Sequence, residues 1–220
     1  MSYLHRWQSG AAVGLPVGKA VCIGRNYLEH VKELGNVVPT RPIIFMKPAA
    51  AFATLSEGIA LPEDVGACHH EVELTVLVGQ TLVKADRETA RHAIAGYGIG
   101  LDLTLRELQD ELKTKGQPWE LAKAFDGSAP LSPFIPAADL ASPQDCRIAL
   151  TVNGETRQDA TTALMMTPIL DQLVFISRHF TLMPGDVLFT GTPAGVAVLA
   201  SGDVLELNLA DRWTFSSRVL

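Results

Sequence analysis

Glu71 and Glu73 flank Val72 at the start of an apolar run, in the segment HHEVELTVLVG. Strand residues two apart project to the same side, so the two carboxylates share a face. Like charges so placed repel unless they face water or share a cation. One reading is therefore a solvated strand face. The other is a hard divalent metal, because Mg²⁺ and Mn²⁺ prefer oxygen ligands and keep positions open for a substrate. Asp102 follows Gly98-Ile99-Gly100-Leu101, a small apolar stretch expected to be buried, where an unpaired carboxylate is expensive. It either caps the next helix or joins Glu71 and Glu73 in a three-carboxylate site whose charge a divalent ion would largely neutralise. His69 and His70 suggest zinc at first sight. Adjacent strand residues point to opposite faces, so they read better as structural or supporting groups than as joint ligands.

His30 and Glu33 lie in NYLEHVKELGN, which has helical spacing. Residues three apart on a helix face the same way, so the carboxylate can orient the imidazole and raise its basicity, as a general base requires. The same pair also fits plain surface decoration. Gly35 stops the helix after barely two turns, and residues 26–36 could form a mobile lid. The basic candidates are Arg25, Lys47, Arg106 and Lys123. Lys47 and Lys123 have apolar neighbours, where a lysine stem usually snorkels. Gly191-Thr192-Pro193-Ala194-Gly195 follows the run VLFT and is either a turn or an anion-holding loop.

The elements that must position these groups are short. Lys19–Ile23, Ile43–Met46, Leu74–Val78, Ile148–Val152, Val187–Phe189 and Val204–Leu209 are apolar runs bounded by turn residues, and they read as strands. Val152-Asn153-Gly154-Glu155 predicts a type I′ hairpin. Three helices are expected. One is capped by Asp86 and runs to Ala95; a second spans Leu105–Lys115 and stops at Gly116. The third is capped by Thr167 with Pro168 first in the helix, burying Ile169, Leu170, Leu173, Val174 and Ser177. Strands, a little helix and strands again predict a β-rich α+β fold rather than a βαβ alternation.

The chain has 220 residues, 47% hydrophobic and 19% charged, which excludes disorder and suits one large domain over 1–220. Eighteen basic against 24 acidic residues give a net charge of −6 with no basic run, so nucleic acid is not the expected partner. Cys22, Cys68 and Cys146 have neither metal-ligand spacing nor an even count, which points to a reducing compartment. No stretch approaches ~20 apolar residues, so a soluble, cytoplasmic protein without a membrane partner is expected.

Taken in order, GRNYLEHVKELGN, PIIFMKPAAAF, HHEVELTVLVG, GYGIGLDLTLRELQ, GQPWELAKAFDGSAPLSP, VNGETRQ and MPGDVLFTGTPAGV resemble the fumarylacetoacetate hydrolase family, in its small single-domain form. The resemblance implies a mixed β-roll, preceded by an N-terminal extension over 1–18. It also implies Mg²⁺ or Mn²⁺ held by Glu71, Glu73 and Asp102. His30 and Glu33 would form a catalytic dyad on the lid, with Lys123 as the active-site lysine. Arg25, Asn26, Tyr27, Lys47, Arg106, Gln158 and Thr192 would lie near the substrate. The implied activity is cleavage of a C–C bond in an acylpyruvate to pyruvate and a carboxylic acid. Oxaloacetate decarboxylation and isomerisation in aromatic catabolism are alternatives, and a non-catalytic binder of metal and 2-oxo acid is a remoter one. A homodimer is expected.

Overall fold

The computed structural model describes residues 3–63 and 65–220. In chain order the elements begin with β1 (Ala20–Gly24), α1 (Leu28–Glu33), β2 (Ile43–Lys47), β3 (Phe52–Thr54), β4 (Cys68–His70) and β5 (Val72–Val78). They continue with α2 (Arg87–His92), β6 (Ile94–Leu101), β7 (Thr104–Leu105), α3 (Arg106–Thr114), α4 (Glu120–Lys123), β8 (Ala129–Leu131) and β9 (Ile135–Pro136). The last are β10 (Arg147–Val152), β11 (Glu155–Thr161), α5 (Ile169–His179), β12 (Val187–Phe189), β13 (Ala197–Val198), β14 (Val204–Leu209) and β15 (Trp213–Arg218).

A large mixed sheet runs β2-β1-β12-β5-β6-β8-β3, with β9 also paired to β6. β1–β12 and β3–β8 are its parallel pairs. A second, antiparallel sheet, β11-β10-β14-β15, covers one face, and β13-β4-β7 forms a third. The fold is thus α+β and sheet-rich, as the strand pattern predicts. Every residue of β5 is buried, because the strand carries core on both faces. Leu74, Val76 and Val78 pack with Ile148 and Leu150 of β10, Leu205 and Leu207 of β14, and Leu173 and Ile176 of α5. Leu77 faces the other way, with Ala20, Cys22, Phe134 and Phe189.

The segment expected as an extension is built into that second core. Tyr3 stacks on Phe52 at 5.4 Å, the His5 Nε2 lies 2.9 Å from the Gly185 carbonyl, and Trp7 bridges to Phe134. The predicted hairpin is present, with Asn153 and Gly154 both at positive φ (54° and 80°) as a type I′ turn needs. Asp86 caps α2 by accepting from Thr89 N–H at 2.8 Å. However, α2 ends at His92 rather than Ala95, because Ile94 is taken into β6 opposite Val78. α5 also departs from expectation. Pro168, not Thr167, is its extended N-cap, since Asn26 clamps Thr167 through both its N–H and its carbonyl. The buried face carries Gln172 and Ile176 in place of Leu170 and Val174. Gln172 tolerates burial by donating to the Thr167 carbonyl at 2.8 Å. No helix among the described residues is long and apolar enough to cross a membrane.

Candidate active site

The β5–β6 pair positions the acids. Val72 pairs with Leu101 and Glu73 with Gly100, and Asp102 N–H donates to the Glu71 carbonyl at 2.9 Å. Antiparallel partners project to the same side, so the register puts all three carboxylates on one face. Their ligand oxygens lie within 4.8 Å of one another, and the residues are 4%, 1% and 1% exposed. Gly100 keeps this corner open: a Cβ there would come within 2.8 Å of Leu131 and 2.9 Å of the Pro130 carbonyl. Asp102 does not cap a helix, since α3 begins only at Arg106.

Three cations surround the acids. Lys123, at the end of α4, donates to Asp102 at 2.7 Å, Glu71 at 2.9 Å and the Thr104 hydroxyl at 2.6 Å. Arg106 pairs with the other Glu71 oxygen and donates to Gln109 Oε1 at 2.8 Å. Lys47 is fully buried behind Asp102, its Nζ 2.8 Å from Oδ1 and also bonded to the Ser128 carbonyl at 3.0 Å. The shares are unequal. Burial alone would raise the Glu71 carboxyl, yet Lys123 and Arg106 override it and hold Glu71 well below the usual carboxylate range. Glu73 makes no ion pair among the described residues; its Oε2 accepts from Gly191 N–H at 2.7 Å. Burial, then Asp102 and Glu71, push its carboxyl well up. Gly191 sits at φ 100°, and a Cβ there would meet the Asn26 Cβ at 2.6 Å, so only glycine lets this N–H reach Glu73. A buried all-oxygen trio with one uncompensated member fits a hard divalent cation.

The α1 helix brings His30 to the same cavity. Its Nδ1 lies 3.3 Å from Glu33 Oε2, and Glu33 Oε1 accepts from Gly195 N–H at 2.9 Å. Burial lowers the imidazole pKa, with Glu71 and Glu33 pulling partly the other way. His30 is therefore neutral near pH 7. With Nδ1–H directed at Glu33, Nε2 is left as a free base. The cleft is narrow, with a cavity volume of about 30 Å³, and His30, the three acids, Arg106 and Lys123 line it together with Arg25, Phe45, Gln109, Lys113, Trp119 and Thr192. Phe45 and Trp119 form a tilted pair at 5.9 Å, an apolar wall opposite the charged floor.

Of the residues expected near the substrate, Arg25, Arg106 and Thr192 line the cleft, while Asn26, Tyr27, Lys47 and Gln158 do not. Asn26 is spent on backbone groups of Thr167 and Thr190, and Tyr27 is packed in the core. Lys47 lies behind Asp102. Gln158 clamps Val72 N–H, His70 and the Thr192 hydroxyl, which aligns β5 with the 191–195 loop. His69 and His70 stand outside the carboxylate group, and His70 is committed to Gln158. Gln109, Lys113, Phe45 and Trp119 escape the sequence reading. Gln109 and Lys113 could have been found from Arg106, because i+3 and i+7 share its face of α3. Cys22, Cys68 and Cys146 are free and buried.

A buried carboxylate trio, a buried histidine held by a glutamate and a small cavity on a β-rich roll are the features of a small-molecule enzyme site. The family model described as fumarylacetoacetate (FAA) hydrolase C-terminal matches residues 19–220, and the chain belongs to that family. It is 52% identical over 217 residues to an oxaloacetate tautomerase of Escherichia coli, YcgM, covering 98% of each chain. It is 42% identical over 194 residues to the mitochondrial oxaloacetate tautomerase fahd-1 of Caenorhabditis elegans, covering 88% of this chain and 91% of the other. Among solved structures, a fumarylacetoacetate hydrolase family protein of Yersinia pestis superposes with a TM-score of 0.97 at 47% identity, covering 99% and 100% of the two chains. A fumarylpyruvate hydrolase of Pseudomonas aeruginosa, in complex with Mn²⁺ and pyruvate, gives a TM-score of 0.93 at 34% identity, covering 100% and 96%.

Proposed function

We propose that this protein is a metal-dependent oxaloacetate tautomerase, moving a proton between C3 and the C2 oxygen of a small 2-oxo dicarboxylic acid. The observation that carries the reading is the buried His30 imidazole, held by Glu33 and facing the same cleft as the Glu71–Glu73–Asp102 trio. Similarity to oxaloacetate tautomerases along nearly the whole chain supports it. Glu71, Glu73 and Asp102 would hold Mg²⁺ or Mn²⁺, which when bound supplies Lewis-acid stabilisation of an enolate oxygen. His30 takes the C3 proton or returns it, and Glu33 fixes the ring orientation and stabilises the imidazolium. Lys123 and Arg106 offset the negative charge that develops on the substrate. Arg25 and Lys113 face the cleft and suit the distal carboxylate. The Phe45–Trp119 wall excludes water from the enolate.

A second reading is hydrolysis of an acylpyruvate such as fumarylpyruvate, in which the His30–Glu33 pair activates water. It is favoured by the likeness to the Mn²⁺- and pyruvate-bound fumarylpyruvate hydrolase. Both readings share one enolate. The decisive assay follows enol loss from freshly dissolved enol-oxaloacetate by ultraviolet absorbance, using EDTA-stripped protein with and without Mn²⁺ or Mg²⁺. Pyruvate release from oxaloacetate, acetylpyruvate and fumarylpyruvate is measured in parallel. Metal-dependent acceleration of enol loss without pyruvate is expected. Pyruvate from an acylpyruvate with no enol acceleration would sink the first reading and establish the second.

A further inference from the structure

Tyr97 lies on β6 five residues before Asp102, roughly 17 Å away at the ~3.4 Å rise of an antiparallel strand. It pairs with Val76 and so faces away from the side that carries Gly100 and Asp102. It is 6% exposed, yet its hydroxyl makes no hydrogen bond among the described residues. Its ring is buried while its hydroxyl stays accessible, unlike that of Tyr27, which is enclosed without a partner. The side chain lines a cavity of about 380 Å³, lined also by Arg87, Arg91, Gln144, Pro168 and Leu170.

Other donors converge there. Arg87 and Arg91 are one turn apart on α2 and share a face, where like charges repel unless an anion lies between them. Arg87 is engaged by Asp171, whereas Arg91 has no ion pair among the described residues. Burial raises the Tyr97 phenol to about 12, with the nearby Arg91 charge working against that rise. The eleven-residue α5 begins at the cavity wall with no side-chain cap. Ile169 N–H donates to Gln144 Oε1 at 2.7 Å, but the N–H groups of Leu170 and Asp171 find no acceptor among the described residues. Such a terminus carries partial positive charge and free donors. The carboxylate on the cavity wall, Asp145, accepts from the Thr161 hydroxyl at 3.0 Å.

We infer that this cavity is a second ligand site, binding a compact oxyanion group, phosphate or carboxylate, between Arg91, the Tyr97 hydroxyl and the start of α5. A cation would meet two arginines, and an apolar ligand would leave the Tyr97 hydroxyl and two N–H groups without partners. With a net charge of −6 the protein does not attract anions in general, so these local donors must do the selecting.

The test is calorimetric titration of the full-length, metal-loaded protein with inorganic phosphate and, separately, succinate, at low ionic strength. Besides any metal-dependent binding of the anion in the cleft, wild type should show a saturable site that persists when EDTA removes the metal. Arg91→Gln should weaken it about tenfold or more, as loss of a charge-assisted hydrogen bond does. Tyr97→Phe should weaken it severalfold, and Arg91→Lys should retain most of it, with circular dichroism unchanged throughout. Tighter phosphate binding would mark a phosphoryl ligand and tighter succinate binding a carboxylate, and either supports the site. Absence of saturable binding of both anions to the EDTA-treated protein, or equal affinity of that protein in wild type and Arg91→Gln, would each overturn it.

Discussion

Two clusters of carboxylates and cations on this molecule use the same residue types in opposite ways. On the outer sheet, Arg147 grips Asp159 through two bonds of 2.7 and 2.8 Å and reaches Asp211 at 2.7 Å, with all three side chains at least 40% exposed. In the cleft and just behind it, Glu71, Asp102, Lys47, Lys123 and Arg106 make comparable contacts at 11% exposure or less. Better hydrogen-bond geometry does not make the first cluster the stronger one. Pairs in water contribute ~0.2–1 kcal/mol, because solvent screens them and side-chain entropy opposes them. Buried charges cost several kcal/mol each to desolvate, so their partners become indispensable. The outer cluster therefore decorates a stable sheet, whereas the inner one burdens the fold and is explained by what it can bind and stabilise.

That contrast is open to direct attack. Asp102→Ala should have the largest effect, removing calorimetrically detectable Mn²⁺ binding and all turnover while circular dichroism stays native. Unchanged Mn²⁺ affinity would mean that the carboxylate trio is not the metal site. His30→Ala should lower kcat/KM by ~10²–10⁴, the usual worth of a general base. A loss of less than threefold would show that another group moves the proton. Lys47→Met leaves Asp102 without its rear cation and should cost ~3–5 kcal/mol of stability in urea unfolding. Arg147→Ala, in the same assay, should cost no more than ~1 kcal/mol. If the two mutants lose equal stability, the comparison fails.

The pH profile refines the inner cluster further. Burial holds the His30 pKa below its ordinary ~6.5. At saturating Mn²⁺, which would keep the Glu73 carboxylate ionised, the active form is the neutral base, so kcat/KM should be flat above that value and fall as pH drops through the lowered pKa. Glu33→Gln removes a neighbour that raises this pKa, and should move the acid limb to still lower pH. An acid limb above pH 7 would contradict the assignment.

The carboxylate trio is legible in sequence because it depends on local rules. Two residues apart on a strand means one face, and a hydrophobic run announces the strand. The 152–155 hairpin and the Asp86 cap are legible for the same reason. What sequence misses is decided by distant packing. Ile94 looks helical until Val78 claims it for the sheet, and Thr167 looks like a cap until Asn26 seizes its backbone. Lys47 reads as a snorkelling lysine because nothing nearby in sequence reveals the carbonyls and the Asp102 carboxylate that hold it. Asn26, Tyr27 and Gln158 belong to motifs that border the cleft, yet their side chains are consumed in joining segments beside it. Phe45 and Trp119 become one wall only after the chain has closed between β2 and α4.

The parallel pairing of β1 with β12 has a consequence for how the molecule comes into being. Ala20–Cys22 must find Val187–Phe189, and Asn26 must find Thr190, 164 residues away. Contacts so distant along the chain are paid for in loop entropy before they return anything, which slows folding. On the ribosome, the first two-thirds of the chain could pair β5 with β6 and so assemble the acids, but the seam beside them would stay open. Gly191, which donates to Glu73, arrives with the same late segment. A nascent chain should therefore remain catalytically silent until the segment carrying Gly191 has been made.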